Sequence, residues 1–153
     1  MQNITGVTSS SCLPGWIPHS SSCYLFSHQP LPWDAAQDFC SEFGGYLIEI
    51  TSRDENTFVE QIARQIYQSN STASGHIYGY WTGGREDLQH GYWTWASGDK
   101  LTFTDWAPGE PNSRNENCMH INSDESFHWN DYVCTANEYF ICEARTSGQG
   151  IVG

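Results

Sequence analysis

Six cysteines are the feature that most restricts how this chain can fold, and no two of them form a CxxC pair. The six histidines also lack a zinc-binding spacing such as HExxH, so a zinc site has little support. An even number of cysteines in a chain of 153 residues is typical of a disulfide-bonded domain that folds in an oxidising compartment. We therefore expect a secreted, extracellular protein. The cysteines are Cys12, Cys23, Cys40, Cys118, Cys134 and Cys142.

The length predicts a single domain, because 153 residues can bury one hydrophobic core but hardly two. Seven tryptophans and a hydrophobic content of 38% are typical of a globular chain. The polar segments 1–11 and 146–153 show no hydrophobic period, and we expect flexible ends around a domain of residues 12–145. The N-terminus lacks the basic and apolar regions of a signal peptide, so we expect a processed chain. Glycosylation sequons begin at Asn3 and Asn70.

The net charge of −12, from 18 acidic and six basic side chains, argues against some classes of partner. Such a chain repels phosphate backbones and anionic lipids, so nucleic acid is not an expected partner. Membrane insertion is not expected either, because no apolar run approaches the roughly 20 residues of a membrane-spanning helix. An acidic excess usually serves solubility, but acids clustered in one loop can also bind a hard cation. The segment "GEPNSRNENC", from Gly109 to Cys118, is such a cluster.

Two helices are predicted in the first half of the chain. The segment "PWDAAQDFCSEFGG", from Pro32, places apolar residues at helical spacing ahead of two glycines. After a short strand in "GYLIEIT", a capping-box pattern of Ser52 and Glu55 begins a second helix, whose apolar stripe includes Phe58. Beyond Asn70, short aromatic runs between Gly, Pro and Asp turns favour strands. We therefore predict an α+β domain.

Seven short segments, in their order along the chain, resemble the C-type lectin-like family: "WDAAQDFC", "YWTGGRED", "YWTWASG", "DWAPGEPN", "NENC", "HWNDYVC" and "YFICEA". Each is weak alone, but the ordered set is specific and covers nearly the whole chain from Cys12 to Ala144. The resemblance implies a double-looped α+β domain with two helices, antiparallel strands and a long calcium-binding loop region. Sequence alone does not choose among the many pairings of the cysteines. The resemblance implies the pairs Cys12–Cys23, Cys40–Cys142 and Cys118–Cys134, so any homo-oligomer should be non-covalent.

One segment departs from the family pattern. Where family members usually carry Trp-Ile-Gly-Leu, this chain has "WTGG", with Thr82 and Gly84 in place of the aliphatic pair. We expect a neighbouring aromatic side chain, that of Tyr80, Trp93 or Trp95, to fill the volume that a leucine at position 84 would occupy.

The resemblance also implies that acids and amides of this cluster, together with those of "WND", are the ligands of one Ca²⁺ ion. Carboxylate and amide oxygens are ligands that calcium takes. In the family the bond before Pro111 is cis, which turns the flanking side chains toward the ion. A second calcium is not expected, because its positions hold Glu86, His90, Ser113 and Asn117, where multi-calcium members are richer in acids. A solvated polar surface loop is the alternative interpretation. The five expected ligands are Glu110, Asn112, Glu116, Asn130 and Asp131.

The resemblance further implies that a sugar binds this ion through two vicinal hydroxyls. Each hydroxyl can accept an N–H from an asparagine and donate its proton to a glutamate, because amides have donors and carboxylates only acceptors. In "EPN" the acceptor precedes the donor, which in the family goes with equatorial hydroxyls, as in mannose, N-acetylglucosamine and glucose, or the equivalent pair of fucose. We expect galactose to bind worse because its 4-hydroxyl is axial. Arg114 lies beside the expected sugar and is predicted to contact a second sugar residue or an acidic group.

Two other functions compete with carbohydrate binding. A lectin-like scaffold for a non-sugar ligand, such as a protein or a mineral, would also suit an acidic chain. A glycosidase would use paired carboxylates, but these acids are expected to hold a metal, and no nucleophile with a base is visible. We therefore predict a binding protein and not an enzyme. His120 and His128 are expected to be structural or solvent-facing, and Trp106 and Trp129 to be core residues that fix the loops.

Overall fold

The computed structural model describes residues 12–69, 79–113 and 115–146. This part of the chain contains two α-helices and eight β-strands, which confirms the predicted α+β class. Asn3, Asn70 and Arg114 lie outside the described residues, as do 1–11 and 147–153 of the expected flexible ends. The helices are α1 (Trp33–Glu42) and α2 (Arg53–Ser69). The strands are β1 (Ile17–His19), β2 (Ser22–Phe26), β3 (Tyr46–Leu47), β4 (Gly79–Asp87), β5 (Tyr92–Trp95), β6 (Cys118–Asn122), β7 (Trp129–Tyr132) and β8 (Tyr139–Arg145).

The described strands form one sheet in the order β1-β2-β8-β4-β6-β7, with β3 paired to β8 and β5 paired to β4. Neighbours run antiparallel except β4 and β8, which are parallel. This order sets the first strands of the domain against the C-terminal β8 and leaves β6 and β7 at the opposite edge, where the acid and amide cluster lies. Neither described helix has the length and apolar character needed to span a membrane.

Three disulfides join the described cysteines, and they are the three pairs that the family resemblance implies. Cys12–Cys23 closes an N-terminal hairpin, and Cys118–Cys134 links the start of β6 to the segment after β7. Cys40–Cys142 ties α1 to β8 across a sequence separation of 102 residues. On a chain-entropy account each disulfide contributes roughly 3 to 5 kcal/mol, and the longest loop contributes most.

The ends of the helices follow their sequence signals. Helix α1 begins after Pro32, whose φ of −65° suits a helix start, and it is followed by Gly44 at a φ of +77°. At the start of α2, the Ser52 hydroxyl accepts the N–H of Glu55 at 3.1 Å, as the capping-box pattern predicts. The Glu55 carboxylate in turn accepts the N–H of Thr51 at 2.9 Å. A proline marks the start of α1, and side-chain hydrogen bonds mark the start of α2.

The strand predicted in "GYLIEIT" is shorter than expected and pairs with β8 only through Tyr46 and Leu47. Ile48, the next residue, donates its N–H to the Ile141 carbonyl, and its carbonyl accepts the N–H of Gly83. Ile48 therefore links β8 and β4 just after the end of β3.

The volume beside Gly84 is filled by Met119, and the prediction of a neighbouring aromatic was wrong. A Cβ atom at Gly84 would lie 2.7 Å from the Met119 Cβ and 2.8 Å from its Sδ, so no side chain larger than hydrogen fits there. Met119 is fully buried on β6, which pairs with β4 across an irregularity between Trp81 and Arg85. An unbranched thioether can adapt to such an irregular space. Thr82 is also buried, and its hydroxyl donates to the Met119 carbonyl at 3.2 Å.

Candidate functional site

The acid and amide cluster lies on a loop that packs against the start of β7. Ala107 donates its N–H to the Trp129 carbonyl at 2.8 Å, and Trp129 donates to the Asp105 carbonyl at 2.9 Å. The chain then turns at Glu110, whose N–H reaches the Ala107 carbonyl at 3.0 Å. The following bond, to Pro111, is cis, as the family resemblance implies. The loop thereby brings the "EPN" segment next to the "WND" segment of β7.

Asp131 connects these two segments. Its side chain is fully buried, and its Oδ2 accepts the N–H groups of Asn112 at 3.1 Å and Ser113 at 2.9 Å. Its Oδ1 is buried without a hydrogen-bond partner among the described residues, and the same is true of Oε1 of Glu110. Buried carboxylate oxygens normally have partners, so two unpaired oxygens in one place indicate a cation-binding site.

The electrostatics of Glu110 agree with this interpretation. Burial and the neighbouring Asp131 carboxyl raise the pKa of Glu110 to about 7, and the charges of Glu125 and Glu116 add to the effect. Two ionised carboxylates shielded from water repel each other unless a proton or a cation lies with them. A divalent cation relieves that repulsion at neutral pH, and calcium prefers oxygen ligands at about 2.3 to 2.6 Å. The residues present therefore fit a calcium ion.

The other three expected ligands differ in their burial and in their contacts with Glu110 and Asp131. Asn112 is exposed and adjoins Asp131 through its backbone N–H. Asn130 is half-buried on β7, beside Asp131 in the chain. Glu116 is half-buried and its charge acts on Glu110, but no three acidic, His or Cys side chains converge anywhere in the described ranges. The structure thus brings Glu110 and Asp131 together, and Glu116 is near enough for its charge to act on Glu110.

The positions named for a second calcium are engaged in hydrogen bonds of their own. The Asn117 side-chain amide donates to Glu86 Oε1 at 3.0 Å, and the His90 ring lies 2.9 Å from Asp87 Oδ2. The Ser113 hydroxyl accepts the N–H of Asn115 at 3.3 Å. Arg114, the expected sugar contact, is outside the described residues, and its contact stays a prediction.

Of the histidines and tryptophans near the site, Trp129 is the one confirmed as a core residue, since it is fully buried. Trp106 is half-buried and packs on Trp129 with ring centroids 6.0 Å apart. His128 binds Asp105 Oδ1 at 2.9 Å and is partly exposed. His120 is only 1% exposed, and its ring lies opposite Asn130. No sequence motif marks His120, because only the register between β6 and β7 creates that neighbourhood.

Comparison with known proteins identifies the family. Residues 29–144 match the family profile of the lectin C-type domain. The "Perlucin-like protein" of Mytilus galloprovincialis is 33% identical, over 86% of this chain and 82% of its own length. The "Galactose-specific lectin nattectin" of Thalassophryne nattereri is 30% identical, over 92% of this chain and 84% of its own length.

Solved structures show the same fold. The SPL-1 complex with GlcNAc has a TM-score of 0.75 at 28% identity and covers 87% of this chain and 94% of its own. The "Ca2+-independent C-type lectin SPL-2 from Saxidomus purpuratus" has a TM-score of 0.74 at 29% identity and covers 86% of this chain and 92% of its own. Profile, fold and disulfides agree over most of the sequence. This chain is therefore a member of the C-type lectin domain family.

Proposed function

We propose that this protein binds carbohydrate in a calcium-dependent manner and prefers mannose-type sugars. The observation that carries the proposal is the pair of buried, unpaired oxygens on Glu110 and Asp131. The residues that would hold one ion are Glu110, Asn112, Glu116, Asn130 and Asp131. When bound, calcium supplies open coordination positions for two sugar hydroxyls.

The side chains of the site determine which pair of hydroxyls fits. Asn112 and Asn130 have N–H groups to donate to hydroxyl oxygens, and Glu110 and Glu116 can accept the hydroxyl protons. Asp131 holds the loop in place through two backbone N–H groups. By family resemblance, the order of acceptor and donor in "EPN" favours the equatorial vicinal hydroxyls of mannose, N-acetylglucosamine and glucose, or the equivalent pair of fucose.

Similar proteins support sugar binding and differ in its details. One solved structure is a complex with GlcNAc, another is described as calcium-independent, and one relative is described as galactose-specific. Sugar preference and calcium dependence are therefore the two features to measure for this chain. We also infer an extracellular location, which the three disulfides support.

Chromatography on immobilised mannose tests this function directly. We expect retention in calcium and release by a chelator. Elution that is indifferent to the chelator would contradict calcium dependence, and stronger retention on galactose would contradict the mannose preference. The second candidate function, a scaffold for a protein or mineral ligand, would be favoured if no sugar column retained the protein in calcium.

A further inference from the structure

A buried histidine lies directly behind one of the expected calcium ligands. Strands β6 and β7 pair so that His120 is opposite Asn130. The His120 Nε2 atom is 3.4 Å from the Asn130 side-chain nitrogen, Nδ2. On the other side of the ring, Nδ1 is 2.6 Å from Oε1 of Glu138. The three side chains form a continuous hydrogen-bonded chain, which we call the Glu138–His120–Asn130 chain.

The chemistry of these groups fixes the direction of the hydrogen bonds. An ionised carboxylate only accepts, so His120 donates the proton on Nδ1 to Glu138. In a neutral imidazole the other nitrogen is then an acceptor, and it accepts an N–H from the amide of Asn130. Because the amide nitrogen of Asn130 faces His120, its oxygen is turned away from the ring. A calcium ligand must present this oxygen.

The surroundings of His120 hold its ring in place. The ring stacks on Tyr132 with centroids 4.5 Å apart and planes 13° apart, and it lies against Trp81 at 5.8 Å. Gly79 leaves room for the pair, since a Cβ atom there would overlap the Glu138 carboxylate and lie 3.1 Å from His120 Nδ1. A ring stacked on one face and hydrogen-bonded at both nitrogens can impose one orientation on Asn130.

We propose that His120 is a positioning residue that turns the Asn130 side-chain carbonyl oxygen toward the calcium ion. Glu138 selects the His120 tautomer whose Nε2 accepts the Asn130 N–H. The proposal rests on the proposed calcium-dependent function. Groups that orient the ligands of a metal ion typically change its affinity about 10- to 100-fold when they are removed. His120 itself is too deeply buried to contact a sugar.

His120→Phe is the main test, because it keeps an aromatic ring against Tyr132 and removes the acceptor for Asn130. We expect calcium affinity, measured by titration calorimetry, to fall about tenfold or more. His120→Gln restores an oxygen that can accept the Asn130 N–H, and its calcium affinity should stay within about threefold of the unmodified chain. A purely structural role would instead lower the melting temperature of both variants and leave calcium affinity unchanged.

His19→Phe is a matched control at the far edge of the sheet. His19 also binds a carboxylate, Asp54 at 2.9 Å, and stacks on an aromatic ring, Phe58 at 4.1 Å. It resembles His120 in these contacts but lies on β1, at the other end of the strand order. We expect the control to lose stability without losing calcium affinity. An equal loss of affinity in both Phe variants would overturn the proposal.

A second measurement needs neither calcium nor a substituted protein. Long-range ¹H–¹⁵N NMR spectra of the unmodified protein in chelator should show a proton on His120 Nδ1 and none on Nε2. A proton on Nε2, alone or together with one on Nδ1, would overturn the proposed orientation of Asn130. If the unmodified chain binds no calcium, the proposed function fails and the positioning role fails with it. If it binds calcium and His120→Phe binds equally well, only the positioning role fails.

Discussion

At the scale of single residues, the sugar preference rests on which atoms of "EPN" donate and which accept. Exchanging these roles with Glu110→Gln and Asn112→Asp conserves the total charge, so calcium should still bind. We expect the double variant to lose mannose binding and gain some galactose binding, because the hydrogen-bond polarity across the diol is reversed. Competition by free sugars against an immobilised glycan measures this. A variant that keeps its calcium and its mannose preference would show that polarity does not set specificity.

Another residue-scale prediction concerns the buried carboxyl of Glu143. Burial, followed by the charge of Glu55, raises the pKa of Glu143 to about 7. Its oxygens accept the Ser22 hydroxyl at 2.8 Å and the Glu49 N–H at 3.2 Å. The Tyr24 hydroxyl faces the same cluster and donates to Glu55 at 2.6 Å. Glu143 and Glu55 line a surface cavity, which Tyr46, Asp54 and Arg145 also line.

The raised pKa means that the folded chain binds a proton on Glu143 that the unfolded chain releases. The stability of the unmodified protein should therefore fall as pH rises from about 4.5 to about 7. Glu143→Gln removes the charge at every pH, and we expect it to stabilise the protein by about 2 to 3 kcal/mol at pH 8 and by less than about 1 kcal/mol at pH 5. Urea unfolding in chelator at both pH values measures the difference. An equal effect at the two values would show that the ionisation of Glu143 does not matter.

At the scale of elements, the sequence was sufficient to predict the helices, because their signals are local. Helical spacing and the Ser52–Glu55 pattern predicted α1 and α2. The disulfides and the cis bond before Pro111 were implied by the family resemblance and not by local signals. Contacts that depend on strand register could not be predicted. The packing of Met119 beside Gly84 and the pairing of His120 with Asn130 both require the alignment of β6 with its neighbours.

The contact between β4 and β6 gives an element-scale prediction. Gly84→Ala should destabilise the protein by about 1 to 3 kcal/mol, because the new methyl group overlaps Met119. Met119→Ala alone should cost about 2 to 5 kcal/mol, because it leaves a cavity. Combining the two changes lets the new methyl group occupy part of that cavity. The double variant should therefore lose less stability than the sum of the losses in the two single variants. Denaturant unfolding measures all three variants, and strictly additive costs would contradict this packing.

At the scale of the whole molecule, three disulfides tie the described residues around one sheet, and the proposed site lies at an edge of that sheet. The described cysteines are all paired, which agrees with the expectation that any oligomer is non-covalent. A single diol site binds weakly, on the order of millimolar, so strong glycan binding would require several linked sites. Calcium should add to the stability of each copy, because the unfolded chain has no preformed site.

The most direct test of the account is a calcium titration of the unmodified chain beside two Asp→Asn variants. Asp131→Asn keeps an oxygen for the two loop N–H groups and removes the charge. Asp105→Asn is the matched control, because the Asp105 carboxylate also accepts two hydrogen bonds, here from the side chains of Asn56 and His128, but lies outside the proposed ligand set.

We predict that each chain binds one calcium ion. At a free calcium concentration of 100 times the dissociation constant, the free energy of unfolding should rise by about 2.7 kcal/mol and the melting temperature by roughly 5 to 11 °C. Asp105→Asn should keep this calcium-dependent shift, and Asp131→Asn should lose it. Equal melting temperatures of the unmodified protein in calcium and in chelator would contradict the central claim that Glu110 and Asp131 hold a calcium ion.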